Sequence, residues 1–422
     1  MSKLGRAGAR TPKFSIERVA WRDVSLGSVA LVNGKRMRLT LGVGSGLSLR
    51  QGDDSGTVWA IADRGPNLKV KTAVARYGLT KLQRLSKFDG GKLMPRPDLG
   101  PTLCELKLES GKLKLVRQIR LRSPNGKPVS GLPALAGTGM EPAFDLNGKA
   151  LGVDPSGADT EGVVALSDGT FWIAEEFGPS LLHVDADGQV LKRWVPRGIE
   201  KALTKADPPA KPVLPALASG RRLNRGFEAL AISDDERWLY LIFQSPLAHP
   251  DVAAFERARH VRVWKLDLER SAVAAQFLYP LDKPSSFARD RAKGDVDRSD
   301  IKVSEATAIG ADKLLVLERI SCTTKIYRVA LDAKHALPAR HLNARTRPTL
   351  EQLSASDDLP SKIPVLSKSL VMSSDEISEL PPDLEGMVVL SPTELLLVND
   401  NDFSVEGSRT QFWRLKFGAK LF

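Results

Sequence analysis

A hairpin that recurs with acids at its open end constrains this chain more than any other feature. The fullest copy is DTEGVVALSDGTFWIAEEFGP, Asp159 to Pro179. Val163 to Leu166 and Phe171 to Ala174 are short apolar runs, and Ser167-Asp168-Gly169-Thr170 between them is turn chemistry. Glu161 stands where the first run begins, and Glu175 and Glu176 stand where the second ends. Folding about the Asp168–Gly169 bond sets Glu161 across from Glu176, in a register that a two-residue connection fixes. Like charges facing each other across strands are unfavourable, so a repeat of the pattern carries meaning.

The pattern repeats. NRGFEALAISDDERWLYLIFQSP begins at Asn224, and its Glu228 mirrors to Gln244. VSEATAIGADKLLVLERI begins at Val303, with Glu305 mirrored to Glu318. DLEGMVVLSPTELLLVNDND begins at Asp383, with Glu385 mirrored to Asp400. A weaker copy from Ser45, SGLSLRQGDDSGTVWAIADRGP, has Gly46 in place of the glutamate and closes on Asp63.

Further strand-like runs follow each hairpin. LLHVDADGQVLKRWVP turns at Asp187-Gly188, and HVRVWKLDL, TKIYRVAL and TQFWRLKF take the same place in the other units. CELKLESGKLKLVRQIRL supplies the outer strands after the Ser45 copy. Four antiparallel strands per unit, repeated with little amphipathic helix, predict an all-β chain folded as a β-propeller of four-stranded blades. Units of roughly 70 residues imply about six blades, within a range of five to seven. A strand from the Phe14–Leu41 region is expected to pair with the last blade and close the ring. Residues 1–13 read as a disordered basic tail and 14–422 as one domain. VKTAVARYGLTKLQRLSKF reads as a short helix or an irregular insertion, residues 122–158 as a long connection, and Leu366–Met372 as a short helix within a loop.

Composition narrows the function. The formal charge is +12, but the basic residues are dispersed, without the dense Lys/Arg block and interleaved aromatics of a nucleic-acid surface. An anionic small molecule is therefore the expected partner, with no nucleic acid. No apolar run reaches the ~20 residues of a membrane helix, so no membrane insertion is expected. The basic N-terminus lacks the apolar stretch of a signal peptide. The expected location is cytoplasmic as written, or periplasmic or secreted if a signal has been removed. Cys104 and Cys322 form no CxxC, and the five histidines form no zinc pattern. No G-x-S-x-G elbow or P-loop occurs.

In a propeller, the start of an inner strand and the end of its neighbour lie at the same end of the blade. Asp63, Glu161, Glu175, Glu176, Glu228, Glu305, Glu318, Glu385, Asp400 and Asp402 are thus expected around one axial mouth. So many carboxylates must either take up protons or bind cations. With oxygen donors alone, Ca2+ is the expected cofactor and Mg2+ the second choice. Arg64, Arg225 and Arg319 sit beside these acids in sequence, either to neutralise them or to hold an anion.

The stretches DTEGVVALSDGTFWIAEEFGPSLLHVDADGQVLKRWVP, NRGFEALAISDDERWLY, LLVLERI with TKIYRVAL, and LEGMVVL with LLLVNDNDF and TQFWRL resemble the phytase-like family, described as having esterase-like activity. The resemblance runs from about Gly46 to the C-terminus. It implies a β-propeller related to calcium-dependent phytases, with many members exported from bacteria. Gln244 departs from the acid expected at that position. The combined expectation is a metal-dependent hydrolase of phosphoesters or related esters. Glu161, Glu176, Arg64, Arg225 and Arg319 are its catalytic candidates, with Glu161 or Glu176 as general base. A binding propeller without catalysis and a lactonase-like propeller are the alternatives.

Overall fold

Every inner hairpin of the computed structural model runs outward into a sheet of antiparallel strands. The structure describes residues 13–137, 139–355, 359 and 363–422, so the expected basic tail lies outside the described residues apart from Lys13. The first sheet comprises Gly46–Ser48, Thr57–Ala62, Thr102–Glu109 and Lys112–Arg120. The second runs Thr160–Ala165, Phe171–Glu175, Ser180–Val184 and Val190–Pro196, with Ala210–Leu214 added in parallel at its edge. The third holds Phe227–Ile232, Trp238–Phe243, His260–Asp267 and Ala272–Pro280. The fourth holds Lys302–Ala308, Lys313–Arg319, Thr324–Ala330 and Lys368–Ser373. The fifth holds Leu384–Ser391, Glu394–Asn399 and Phe412–Phe417, and Phe14–Val19 pairs on its outer edge.

The inner strands touch in sequence around the axis, and Leu384–Ser391 returns to Gly46–Ser48. The expected propeller is therefore present, with five such sheets among the described residues. Two smaller sheets lie outside them. One is the separate hairpin of Ser25–Ala30 with Arg36–Thr40. The other is a small sheet built from Leu68–Lys69, Lys92–Leu93 and Ala143–Phe144. The N-terminal strand closes the ring as expected, pairing Phe14 with Phe417 and Val19 with Phe412. That pairing covers an edge that would otherwise template another chain.

Leu366–Met372 does not form a helix. Lys368–Ser373 is the outer strand of the fourth sheet, paired with Thr324–Ala330. The edge of that sheet offers unmade hydrogen bonds to this segment, and an isolated seven-residue helix in water could not replace them. The stretch after Lys69, read as a short helix or an irregular insertion, holds a helix, Val70–Tyr77.

Aromatic side chains fill the space within and between sheets. Trp59 of the first meets Phe171 of the second at 4.8 Å between ring centres. Phe227, Phe243 and Trp264 pack edge-on inside the third sheet. Near the axis there is no room for such groups. A methyl group on Gly162 would run into the carbonyl of Glu228, and one on Gly46 would lie 2.8 Å from the carbonyl of Glu161. Glycine at these places lets adjacent inner strands approach backbone to backbone.

Candidate functional site at the axial mouth

A β-bulge interrupts four of the five inner hairpins at the same place. In the second sheet the register shifts between Thr160 and Val163, around Glu161. In the third it shifts between Phe227 and Ala229, leaving Glu228 unmatched, and in the fifth between Leu384 and Gly386, leaving Glu385 unmatched. A bulge turns a side chain out of the alternation of its strand. Here it aims the acid at the mouth of the channel. The turn of the second hairpin is wider than expected: Leu166 N–H bonds the Thr170 carbonyl at 2.9 Å, around Ser167-Asp168-Gly169. Thr160, not Glu161, therefore faces the strand end, opposite Glu175.

The mouth is a cavity of about 470 Å³. Asp63, Glu161, Glu176, Glu228, Glu385, Asp400 and Asp402 line it, as do Arg64 and Arg319. One ligand oxygen from each of Asp159, Glu161 and Glu176 lies within 4.8 Å of the others. Two oxygens bound to one calcium at 2.3–2.6 Å are separated by at most about 5 Å, so this spacing fits a common ion. Among the described residues no donor bonds the Glu161 carboxylate. Burial, with Glu228, Asp159 and Glu176, pushes the Glu161 carboxyl well above the usual range. Burial and Asp159 do the same to Glu176, and burial with Asp159 and Asp400 does so to Asp63. Burial raises Asp159 and Asp402 as well, and lifts Glu228 and Asp400 to about 7.

Three expected members stand elsewhere. Glu175 is buried behind the mouth, accepting the Phe177 N–H at 2.8 Å and the Ser180 hydroxyl at 2.8 Å, and lies 3.5 Å from Arg193. In the fourth sheet the bulge falls on Ser304, one residue before the acid. Glu305 consequently lies deeper in the channel and accepts the Leu47 N–H of the first sheet at 3.0 Å. Gly46 in the weak copy leaves the space for it: a methyl there would lie 3.3 Å from the Glu305 carboxylate. Glu318 is turned away from the axis. It accepts Tyr279 Oη at 2.8 Å and pairs with Lys368 at 2.6 Å.

The arginines divide in the same way. Arg64 is buried, lies 4.3 Å over the Phe177 ring, and spends its guanidinium on Glu141, Asp159 and Asn224. Arg225 stands behind the lining and bonds Ser245 Oγ at 2.9 Å. Arg319 pairs with Asp383 at 3.0 Å and with Glu385, and donates to Ser304 Oγ at 2.9 Å. Gln244, where an acid was expected, donates to Glu228 at 2.6 Å. The departure from the family pattern thus removes a repulsion and holds Glu228 in place.

Sequence reasoning passed over Asp159, Glu141 and Lys302. Asp159 carried a signal, since D-x-E-G occurs twice, at 159–162 and 383–386. Glu141 lies in the long connection, where no periodicity marks it. The backbone is also strained here: Asn224, Asp383 and Asp402, with Phe403 and Ser404, all have positive φ without being glycine. Each costs about 1–3 kcal/mol, and such residues cluster at functional sites.

A family model described as Phytase-like, esterase-like activity of phytase, matches residues 40–403. An uncharacterized secreted protein of Arthroderma benhamiae is 30% identical over 244 residues, covering 49% of this chain and 44% of that protein. The chain therefore spans under half the length of that relative. Among solved structures, a luciferin-regenerating enzyme is similar at 13% identity, covering 97% of this chain and 98% of that one, with a TM-score of 0.36. A gluconolactonase from Xanthomonas campestris is similar at 9% identity, covering 95% and 99%, with a TM-score of 0.35. At such scores no reaction carries over. No helix among the described residues is long and apolar enough to cross a membrane.

Proposed function

The chain belongs to the phytase-like family, and from that premise we propose a metal-dependent hydrolase of phosphoesters or related esters, with its active centre at the axial mouth. The observation that carries this reading is the Asp159, Glu161 and Glu176 cluster, three carboxylates within reach of one ion, of which Glu161 and Glu176 line a cavity large enough for a small molecule. All the donors are oxygens, which suits calcium first and magnesium second. A cation bound there would supply the positive charge that polarises an ester or phosphoryl oxygen.

The chain's own groups provide the rest. Arg64, stacked on Phe177, fixes Asp159, which keeps a carboxylate oxygen within reach of Glu161 and Glu176. Arg319 neutralises Glu385 and Asp383 and stays on the cavity wall, where it can steady an anion. Glu228 is held by Gln244 and Ser304, and burial sets its carboxyl at about 7. That value suits a group taking a proton from an attacking water at neutral pH. The secreted description of the Arthroderma protein favours an extracytoplasmic setting.

The test is hydrolysis of p-nitrophenyl phosphate, p-nitrophenyl acetate and phytate, before and after a chelator. Turnover of at least one, abolished by chelation and restored by calcium, is expected. A protein inert towards all three with calcium present overturns the reading.

A further inference from the structure

The cavity wall changes sign at one strand. Counted from the bulge, the residue two places earlier is Asp159 in the second sheet and Asp383 in the fifth. In the fourth sheet the same place holds Lys302. Lys302 lines the mouth and lies directly across the strand pair from Arg319, which lines it too. Two cations facing each other across strands repel. Arg319 is answered by Asp383 and Glu385. Lys302 is not answered: among the described residues no acceptor bonds its ammonium, although Glu228 and Asp383 lie in the same cavity. Arg319 first, then burial and Arg225, lower it to about 7. The acid wall of Glu161 and Glu176 and this cationic wall therefore share one small space.

We propose that Lys302 is a specificity-determining residue that grips an oxyanion carried by the substrate, so that the site selects anionic esters over neutral ones. This rests on the hydrolase reading for the word substrate, but the oxyanion site itself does not. An unpartnered ammonium opposite an arginine supplies two directed positive groups. A phosphate can accept from both while another of its oxygens faces the acid wall and any cation held there. A neutral acyl ester has no charge to offer Lys302 and gains nothing from it.

Inorganic phosphate is the probe, titrated calorimetrically into the calcium-loaded full chain. Lys302→Met is expected to weaken phosphate binding about tenfold or more, the loss of one charge-assisted hydrogen bond. Lys302→Arg, which keeps the charge, is expected to bind within about threefold of wild type, on the same reasoning. In Lys302→Met, KM for p-nitrophenyl phosphate should rise by a larger factor than KM for p-nitrophenyl acetate, because only the phosphate offers Lys302 a charge. Because the mutation removes an unanswered cation, Lys302→Met should melt no lower than wild type. Equal phosphate affinity in wild type and Lys302→Met, or no phosphate binding in wild type, overturns the proposal. Phosphate binding that depends on Lys302 without any ester turnover supports the oxyanion site and counts against the hydrolase reading alone.

Discussion

Glu161 and Glu176 hold carboxylate oxygens within 4.8 Å of each other at the end of one hairpin, and both lie on the wall of the axial cavity. Neither is ion-paired among the described residues; Glu176 accepts only a long bond from the Gly226 N–H, at 3.3 Å. The fold holds these two acids together against their mutual repulsion. Without a cation they must keep a proton, and with one they need not.

Glu161→Gln should therefore act in opposite directions on the two forms of the protein. Without calcium it spares the fold the cost of holding a proton on a buried acid, and the melting temperature should rise by up to about 2 °C, since a chain this large shifts little per kcal/mol. With calcium the gain conferred by the ion should be lost. In wild type that gain is about 2.7 kcal/mol at a hundredfold excess of ion over its dissociation constant. Melting curves with calcium and with chelator check both halves.

The acid cluster also sets a pH dependence. Its folded-state carboxyls are raised, Glu228 and Asp400 to about 7. Between the ordinary carboxylate range near ~4 and that value, the folded protein holds protons that the unfolded chain has released. Stability of the cation-free protein should therefore fall as pH rises from about 5 to about 7.5. The ion displaces those protons, so the calcium-induced rise in melting temperature should grow over the same window. A calcium effect of equal size at both ends would contradict the assignment.

Glu175 provides the contrast. It lies beside Glu176 in sequence, but its carboxylate is spent on Phe177, Ser180 and Arg193. Glu175→Gln breaks a buried ion pair and should cost about 3 kcal/mol in urea unfolding. Calcium affinity of the folded variant should stay within about twofold of wild type, because no ligand is lost.

The hairpin repeat made the strand order, the sheets and the closing N-terminal strand legible from residues alone. It also brought seven of the ten expected acids to one cavity: Asp63, Glu161, Glu176, Glu228, Glu385, Asp400 and Asp402. The errors come from the bulge, which leaves no mark in an apolar alternation. One residue of slip sends a side chain to the other face. In VSEATAIG the bulge falls on Ser304, so Glu305 drops into the channel, and Glu318 ends on the outer side with Lys368. Asp159 could have been found from the doubled D-x-E-G. Lys302 could not, because its importance lies in register against Arg319 rather than in any local pattern.

Gly162 tests whether close approach of the inner strands holds the mouth together. A methyl group there meets the backbone of the third sheet at Glu228, which cannot swing aside as a side chain would. Gly162→Ala should destabilise by about 3 kcal/mol, the upper end of overpacking costs. It should also weaken calcium binding by displacing Glu161 from Glu228. Unfolding and calcium titration on the same sample report both.

The most direct test of the account is calorimetric titration of calcium into protein stripped of metal, in wild type, Glu161→Gln and Glu176→Gln. The account predicts saturable binding in wild type and a loss of affinity of at least about tenfold in each variant, the weight of one ligand carboxylate. Absence of binding in wild type, or equal affinity in all three proteins, would contradict a cation site at the axial mouth.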